Sequence, residues 1–300
     1  MTRALRATFL ALLAALALVG CKQKAPTGAL ESSDGPRIVA LSPAIALIVA
    51  DLGLADRIVG RHAFDLSLDT SIPVVGDQSG IDYENLARVR PTHILLDWGS
   101  RDRPPRLLSL AAERGWTVRD YRMLSLADIR AATLAIADDL DSDPARARAL
   151  DLAVAMDNAW TPDAAFAARC GRCLILFGAD STGAAGPGSF HAQLIESLGG
   201  RSAVADGAPF VTLDTEDVRR LDPDSILIFA PGADPARTLD LLGPLARADL
   251  RAVAAGRVAV IDHPHGLTPS TAMIEVAGRV AEAAAAWPPV ESAPSGTLTP

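Results

Sequence analysis

Short apolar runs alternate with amphipathic stretches along most of this chain. Nearly continuous apolar runs, such as residues 37–41 and 173–177, predict buried strands. Stretches with helical spacing follow them and are bounded by proline, glycine or polar capping residues. Strands that alternate with helices and are apolar on both faces are typical of parallel sheets covered by helices. The pattern therefore predicts an α/β protein built from parallel sheets.

The longest helical pattern lies near the middle of the chain. It runs from Asp143, a predicted N-cap, through Pro144 at the first helical position to the Thr161-Pro162 stop. Its apolar positions recur at helical spacing: Ala145, Ala149, Leu152, Met156 and Trp160. Such a helix would be about 25 Å long, at 1.5 Å per residue. Periodicity alone fits a helix within one domain as well as a helix that joins two lobes.

The segments on either side of this helix resemble each other. Residues 81–96 and 213–228 both place an aspartate before a short helix, then a proline turn and an apolar strand. A weaker match relates residues 48–53 to 194–199. Chance similarity between two units of one fold class is the alternative explanation. We predict two lobes of similar topology, residues 37–142 and 163–287, joined by a connecting helix at 143–162 with a ligand cleft between them.

The N-terminal segment has the composition of an export signal. Arg3 and Arg6 precede an uncharged run, residues 7–20, that is short for a membrane span. The following Leu18-Val19-Gly20-Cys21 resembles the bacterial lipobox, which implies cleavage before Cys21 and lipidation of its thiol. We therefore expect a signal peptide at 1–20, a flexible polar tether at 21–36 and an exported protein anchored in the cell envelope by the Cys21 lipid. The Pro- and Ser-rich residues 288–300 are expected to be disordered.

Charge and motifs exclude several classes of protein. Without residues 1–20, 26 basic residues face 36 acidic ones, so the net charge is about −10 and nucleic acid is not an expected partner. Gly186 to Ser189 matches neither a phosphate-binding P-loop nor a nucleophile elbow, so we expect neither an enzyme nor a cofactor. The Cys170-x-x-Cys173 pair precedes its strand, unlike redox-active pairs, and is either a local disulfide or two thiols.

Five segments, in order along the chain, resemble a known family. Residues 37–43, 52–60 and 81–96 look like the N-terminal lobe of the periplasmic binding proteins for vitamin B12, haem and ferric siderophores. Residues 186–190 together with 198–200, and residues 255–262, resemble the C-terminal lobe. The resemblance implies two α/β lobes joined by a rigid helix, with a metal chelate held between them and delivered to an ABC importer. Each motif is loose, and their order makes the match specific.

The candidate ligand contacts lie in loops that follow predicted strands, because parallel sheets bind ligands beyond their carboxyl ends. They are Ser42, Pro43, Arg61, His62, Trp98, Gly99, Gly188, Ser189, His263 and His265. Trp98 stands where B12-binding members of the family carry a tryptophan, although an indole at this place could also anchor a neighbouring helix. His62, His263 and His265 are candidate ligands of a chelated metal, since neutral imidazole is a common metal ligand. Each of them alone is more typical of a polar loop residue.

These observations lead to one principal hypothesis and two alternatives. The principal hypothesis is a monomeric, lipid-anchored substrate-binding protein of an ABC importer that takes a metal chelate, with cobalamin favoured over haem and siderophore. Family members often dock to the permease through a glutamate on each lobe, but Asp102 and Leu267 occupy those places here. A lipoprotein that uses the fold as an interaction module without transport is therefore an alternative. The other alternative is a metal-ion carrier with histidine ligands.

Overall fold

The computed structural model describes residues 35–77, 79–99, 101–178 and 183–290. The predicted signal peptide, Cys21, most of the tether and residues 291–300 lie outside the described residues. Residues 36–300 form one compact unit by their contacts. No helix in the described part of the chain is both long and apolar enough to cross a membrane.

The N-terminal lobe contains a six-stranded sheet. Its strands are β1 (Ile38–Ala40), β2 (Ile58–His62), β3 (Val74–Asp77), β4 (Gly80–Ile81), β5 (His93–Leu96) and β6 (Thr117–Asp120). Their spatial order is β4-β3-β2-β1-β5-β6, and all neighbours are parallel except β3 and β4. The helices of this lobe are α1 (Pro43–Asp51), α2 (Tyr83–Val89), α3 (Pro105–Arg114) and α4 (Leu126–Asp139), with a 3-10 turn at Ala55–Arg57. Because β1 lies inside the sheet and is covered on both faces, all three of its residues are buried.

The C-terminal lobe contains a second sheet. Its strands are β7 (Arg172–Phe177), β8 (Gly183–Ala185), β9 (Arg201–Ser202), β10 (Phe210–Thr212), β11 (Ser225–Phe229) and β12 (Val258–Ile261). The order is β10-β8-β7-β11-β12, with β9 also paired to β7. After the connecting helix α5 (Asp143–Ala159), the helices are α6 (Ala164–Cys170), α7 (Phe190–Ser197), α8 (Thr215–Leu221), α9 (Thr238–Leu241), α10 (Arg251–Ala254) and α11 (Met273–Ala285). Further 3-10 turns lie at Pro235–Arg237 and Gly243–Arg247.

The predicted α/β class with two mostly parallel sheets is confirmed, with local corrections. Strands β4, β8 and β10 pair antiparallel, which the apolar pattern did not reveal because these strands are only two or three residues long. The apolar pattern of residues 239–245 predicts one helix, but the structure has α9 followed by a 3-10 turn. Gly243 adopts a φ of 54°, and Pro244 cannot donate a helical hydrogen bond, so a continuous helix is interrupted there.

The two similar segments adopt the same local structure. Asp82 caps α2 and Asp214 caps α8, each through a side-chain oxygen that accepts backbone N–H groups. Both helices end at a left-handed residue, Arg90 with a φ of 45° and Asp222 with a φ of 40°. A buried strand follows each turn three residues later. The sequence similarity therefore corresponds to one structural unit used once in each lobe.

Helix α5 packs into both lobes. Ser142, and not the predicted Asp143, is its N-cap, because the Ser142 hydroxyl accepts the Ala145 N–H at 3.4 Å. Its buried face contains Ala145, Ala149, Ala153 and Met156. This face packs against α4 of the first lobe and α11 of the second. Small alanine side chains allow the close approach of these helices.

The lobes share one hydrophobic core as well as a helix. The largest buried cluster includes Ile45 and Ile129 from the N-terminal lobe, and Leu194 and Val280 from the C-terminal lobe. Two hydrogen bonds join the lobes directly: Leu126 N–H donates to Gln193 Oε1 at 3.0 Å, and Thr271 Oγ1–H donates to Asp51. A third joins the end of α5 to the C-terminal lobe, because Trp160 Nε1–H donates to the Met273 carbonyl at 3.3 Å. A large lobe rotation would expose this core, so we predict that ligand binding closes the lobes only slightly.

The chain continues past α11 along the C-terminal lobe. Trp287 is buried, and the N–H of Val290 donates to the Ala168 carbonyl at 2.8 Å. Residues 288–290, the predicted start of the disordered tail, are therefore held against α6. The remainder of that predicted tail lies outside the described residues.

Candidate functional site

Four strands of the N-terminal sheet end around a cavity of about 290 Å³. The loops after β1, β2 and β5 and the last residue of β3 supply its walls, as expected at the carboxyl edge of a parallel sheet. The apolar part of the lining is formed by Leu41, Pro43, Phe64 and Trp98. The polar part is formed by Ser42, His62, Asp77, Asp97 and Arg101. Ser42, Pro43, His62 and Trp98 were expected from the sequence to contact a ligand.

Asp97 is a carboxyl group in an unfavourable position for a negative charge. It follows β5 directly and lies near Asp120, the last residue of the neighbouring strand β6. Burial and the charge of Asp120 raise the pKa of Asp97 to about 6, against the opposing effects of a Ser42 hydrogen bond and Arg101. Asp97 is therefore mostly ionised at neutral pH but takes up a proton under mildly acidic conditions.

His62 presents a hydrogen-bond donor to the cavity. The ring is 4% exposed, and its Nδ1 accepts the backbone N–H of Phe64 at 3.2 Å. Burial lowers the pKa of His62 below 6.5 despite the nearby Asp77 and Asp65, so the ring is neutral at pH 7. Its single proton then sits on Nε2, which has no hydrogen-bond partner among the described residues and is not sealed from solvent.

Asp77 keeps its negative charge at this edge of the sheet. Its Oδ1 accepts the backbone N–H of Ser79 at 2.7 Å and that of Gly80 at 3.2 Å. These bonds, the Ser79 N–H first, hold the pKa of Asp77 below its ordinary value. The bonds also fix the direction of the carboxylate, which lines the cavity.

Trp98 is held in place by its backbone and by a neighbouring cation. Its N–H donates to Asp120 Oδ1 at 2.9 Å. The Arg101 guanidinium carbon lies 4.3 Å from the centre of the indole ring, and Arg101 Nε–H donates to the Trp98 carbonyl at 3.3 Å. Cation–π contact of this kind covers one face of the ring. The indole also packs against the apolar cluster of this lobe, so only the part of Trp98 that lines the cavity can meet a ligand.

Other predicted contact residues have structural tasks in the described part of the chain. The Arg61 guanidinium donates to the carbonyls of Ile72, His62 and Asp65 at 3.0, 3.4 and 3.4 Å, so it fixes the loop after β2 and does not line the cavity. The buried Ser189 hydroxyl donates to the Gly186 carbonyl and accepts the Ala192 N–H as the N-cap of α7. Gly99 and Gly188 adopt φ values of 66° and 81° in turns, where a side chain would be strained.

His263 and His265 do not join His62 in a metal site. His263 uses both ring nitrogens, because Nδ1 accepts the His265 N–H at 3.1 Å and Nε2 lies 3.2 Å from Glu275 Oε2. Within the ranges that the structure describes, no group of three His, Cys, Asp or Glu side chains is arranged to hold a metal ion. The metal-carrier alternative therefore has no preformed site in this part of the chain.

An aromatic cluster lies at the carboxyl ends of β7 and β11 in the C-terminal lobe. Phe177 and Phe229 end these strands, and both rings pack against His191, at 4.9 and 4.7 Å between centroids. Phe210 extends the cluster towards solvent and is 54% exposed. Burial lowers the pKa of His191 to about 4, and its Nε2 is 2.8 Å from the Gly266 carbonyl. Phe210 and the half-buried Phe177 therefore form an apolar surface at this edge of the sheet.

Several cavity residues were not predicted. Phe64, Asp77 and Asp97 were passed over because the sequence analysis gave weight to tryptophan, histidine and glycine after strands. A usable signal existed for Asp97, since a carboxylate directly after a continuous apolar strand must lie at the sheet edge. No comparable signal marked Asp77, because the apolar pattern predicts a strand at residues 73–75, whereas β3 continues to Asp77.

The cysteine pair lies in the core of the C-terminal lobe. Cys170 ends α6 and Cys173 lies in β7, and both side chains are buried, unpaired thiols in the structure. Burial raises the pKa of Cys173 well above its ordinary value. The residues that line the cavity belong to the N-terminal lobe, so the cysteine pair is not part of that site.

The fold and the cleft define a class of protein. The profile of the periplasmic binding protein family matches residues 38–264, so the chain belongs to that family. This confirms the resemblance seen in the sequence. Membership makes the chain an extracytoplasmic binding protein associated with transport.

Solved structures with the same fold include proteins described as haem-binding and vitamin B12-binding. A periplasmic haem-binding protein from Pseudomonas aeruginosa is 19% identical, with a TM-score of 0.67, and the match covers 86% of this chain and 96% of that one. The haem-binding protein RhuT of Roseiflexus sp. RS-1 is 23% identical, with a TM-score of 0.64 and coverages of 84% and 98%. The vitamin B12-binding protein BtuF of Vibrio cholerae is 18% identical, with a TM-score of 0.64 and coverages of 83% and 96%. No curated protein sequence matches this chain.

Proposed function

We propose that this protein is the lipid-anchored substrate-binding component of an ABC importer and captures a metal chelate, with cobalamin favoured, between its lobes. The observation that carries the proposal is the cavity at the carboxyl ends of the N-terminal strands, where Trp98 stands beside hydrogen-bonding groups. Family membership supports binding and transport in place of catalysis. Haem and ferric siderophores are the competing ligands.

The cavity is smaller than a metal chelate, so in this proposal only part of the ligand enters it. A volume of about 290 Å³ lies at the lower end of the range for small-molecule sites, roughly 300–1,000 Å³. A macrocyclic chelate would place one edge in this cavity. Its remaining apolar surface would extend towards the C-terminal lobe, where Phe177 and the exposed Phe210 provide aromatic area.

Binding of a chelate is tested by calorimetric titration of the purified protein with cyanocobalamin, haemin and a set of ferric siderophores. We expect at least one chelate to bind in the micromolar range or tighter, as about −8 kcal/mol is ordinary for a binding site. Trp98→Ala should weaken that binding about tenfold or more, because it removes the aromatic wall of the cavity. Trp116→Ala is the matched control, since Trp116 packs in the N-terminal lobe away from the cavity. Failure of every chelate to bind below millimolar concentration would refute the proposal.

The lipid anchor rests on the lipobox-like sequence that ends at Cys21. Two-phase detergent partitioning of the protein expressed in bacteria tests it. The wild-type chain should enter the detergent phase, and Cys21→Ser should enter the aqueous phase while binding the same ligand. Equal partitioning of both proteins would contradict anchoring and leave the ligand proposal standing.

Docking to a permease rests on family membership and on accessible positions at both lobes. Asp102 is exposed and Leu267 is 44% exposed, although neither is the glutamate that often mediates docking. Affinity capture from detergent-solubilised membranes of the source bacterium should recover a membrane permease together with an ATPase. Recovery of other envelope proteins in their place would favour the interaction-module alternative.

A further inference from the structure

The polar half of the N-terminal cavity places a hydrogen-bond donor beside acceptors. His62 offers its Nε2 proton, because Nδ1 is occupied by the Phe64 N–H. Asp77 and Asp97 offer carboxylate oxygens within the same lining. His62 and Asp77 are close enough for the carboxylate to influence the imidazole. A group that both accepts and donates hydrogen bonds therefore has complementary partners here.

The charge of this lining is unfavourable for an anion. Two carboxylates, Asp77 and Asp97, face the cavity together with one guanidinium, that of Arg101. Asp120 adds a third negative charge next to Asp97, and Asp65 a fourth near His62. The guanidinium of Arg101 is stacked over Trp98, on the rim of the cavity. The balance of charge therefore favours neutral or cationic ligand groups over anionic ones.

A primary carboxamide carries the hydrogen-bonding groups that complement this lining. Its carbonyl oxygen can accept the His62 Nε2–H, and its NH₂ group can donate to the carboxylates of Asp77 and Asp97. A carboxylate in the same place could accept the His62 proton, but its second oxygen would face two negative charges in a partly desolvated site. The same two carboxylates that attract the amide NH₂ therefore repel the acid.

We propose that His62, Asp77 and Asp97 determine ligand specificity by accepting a chelate with neutral carboxamide side groups and rejecting one that presents carboxylates there. This inference rests on the proposed function, because it concerns the chelate that the cleft binds. The proposed selection distinguishes the competing ligands by the side groups of their macrocycles, since the corrin ring of cobalamin carries carboxamides and haem carries two propionate carboxylates.

A matched pair of ligands tests the inference. Cyanocobalamin is compared with its purified monocarboxylic acids, each of which has one peripheral carboxamide hydrolysed to a carboxylate. At neutral pH we expect at least one acid isomer to bind the wild-type protein about tenfold or more weakly than cyanocobalamin. A hydrogen bond to a charged group contributes at least about 1.4 kcal/mol, which corresponds to a tenfold change in affinity. Isomers with the carboxylate elsewhere on the ring serve as internal controls.

The variants give an effect of opposite sign on the two ligands. Asp97→Asn and, separately, Asp77→Asn should weaken cyanocobalamin binding and strengthen binding of the discriminated acid, so that the gap falls to about threefold or less. Substitution of a residue with only a structural role would weaken the binding of both ligands. Asp102→Asn is the control, because it removes an exposed charge of the same loop that does not line the cavity. Melting curves of each variant establish that it is folded.

Three results would overturn the inference. Equal affinity of the wild-type protein for cyanocobalamin and all of its acids would show that the cavity does not distinguish the groups. An unchanged ratio in both aspartate variants would show that these carboxylates are not responsible. Tighter binding of haemin than of cyanocobalamin would refute amide selection while leaving the chelate-binding proposal intact, whereas failure of every chelate to bind would refute both.

Discussion

Replacing Asp97 by asparagine removes a charge that the fold holds in an unfavourable place. Asp97 is half-buried at the end of β5 and faces the like charge of Asp120. Asparagine has nearly the same size and shape and can still accept a hydrogen bond from Ser42. The substitution therefore changes the charge with little change in packing, and its effect on stability reports the electrostatic cost of the site.

The magnitude follows from the pKa of this carboxyl. Its rise from 3.8 to about 6 corresponds to about 3 kcal/mol against the ionised form, since each tenfold change in proton affinity is worth about 1.4 kcal/mol. Between about pH 4 and pH 6 the native state retains a proton that the unfolded state has released, so rising pH favours unfolding. Solvent at the cavity screens part of this cost. We expect Asp97→Asn to be more stable than the wild type by about 1–3 kcal/mol at neutral pH.

Urea denaturation of both proteins across this pH range measures the effect. The difference in unfolding free energy between variant and wild type should be small near pH 4, grow up to about pH 6.5 and then remain constant. Asp102→Asn should show no comparable trend, because Asp102 is exposed. A difference that does not vary with pH, or a variant less stable than the wild type at neutral pH, would refute the argument that Asp97 is held against its charge.

Three further predictions concern the shared core and the contact between the lobes. Met156→Ala should lower the free energy of unfolding by about 2–4 kcal/mol, because Met156 is fully buried on α5, whereas Leu150→Ala on the exposed side should change it by less than about 0.5 kcal/mol in the same denaturation assay. Because His191 has a pKa of about 4 in the native state, the unfolded state binds its proton first as the pH falls from 6.5 towards 4, which lowers the free energy of unfolding by up to about 3 kcal/mol. Denaturation measured across this pH range should show the decrease, and His191→Phe should abolish the part due to this residue. Thr271→Val should cost about 1 kcal/mol by removing the hydrogen bond to Asp51, and Asp51→Asn combined with it should add little in a double-mutant cycle.

The predictions for Asp97 and for ligand selection are linked. The charge of Asp97 destabilises the native state, and in the proposed selection the same charge repels a ligand carboxylate. We therefore expect Asp97→Asn to increase stability and reduce discrimination in the same protein. If Asp97→Asn is more stable but still distinguishes the amide from the acid, Asp97 affects stability without determining ligand selection.

The elements that could be predicted from the sequence are those in which local chemistry and burial agree. The apolar runs that became β1 and β7 are buried on both faces, so their pattern is nearly continuous. The cap of α2 and its equivalent at α8 are aspartates, whose side chains bond the first helical N–H groups whatever surrounds them. The two- and three-residue antiparallel strands escaped prediction, since their pairing depends on partners distant in sequence.

The candidate site could be predicted only in part for a related reason. Ser42 and Trp98 directly follow strands, so their place at the sheet edge follows from the order of elements. His263 follows a strand as well, yet both of its nitrogens are occupied by His265 and Glu275 within the same lobe. Sequence position establishes which loop a side chain belongs to. It does not establish whether its polar atoms face the cleft or bond to neighbouring groups.

By itself, the sequence determined the fold class of this protein, α/β with two mostly parallel sheets, and it predicted ligand contacts in the loops after the strands. Those features depend on hydrophobic periodicity, caps and the order of elements, which are local or additive along the chain. The tertiary structure decided that the lobes share one core and that Asp77, Asp97 and His62 face a single cavity. It also decided their charge states, because the pKa of a side chain depends on burial and on neighbours brought together from strands far apart in sequence.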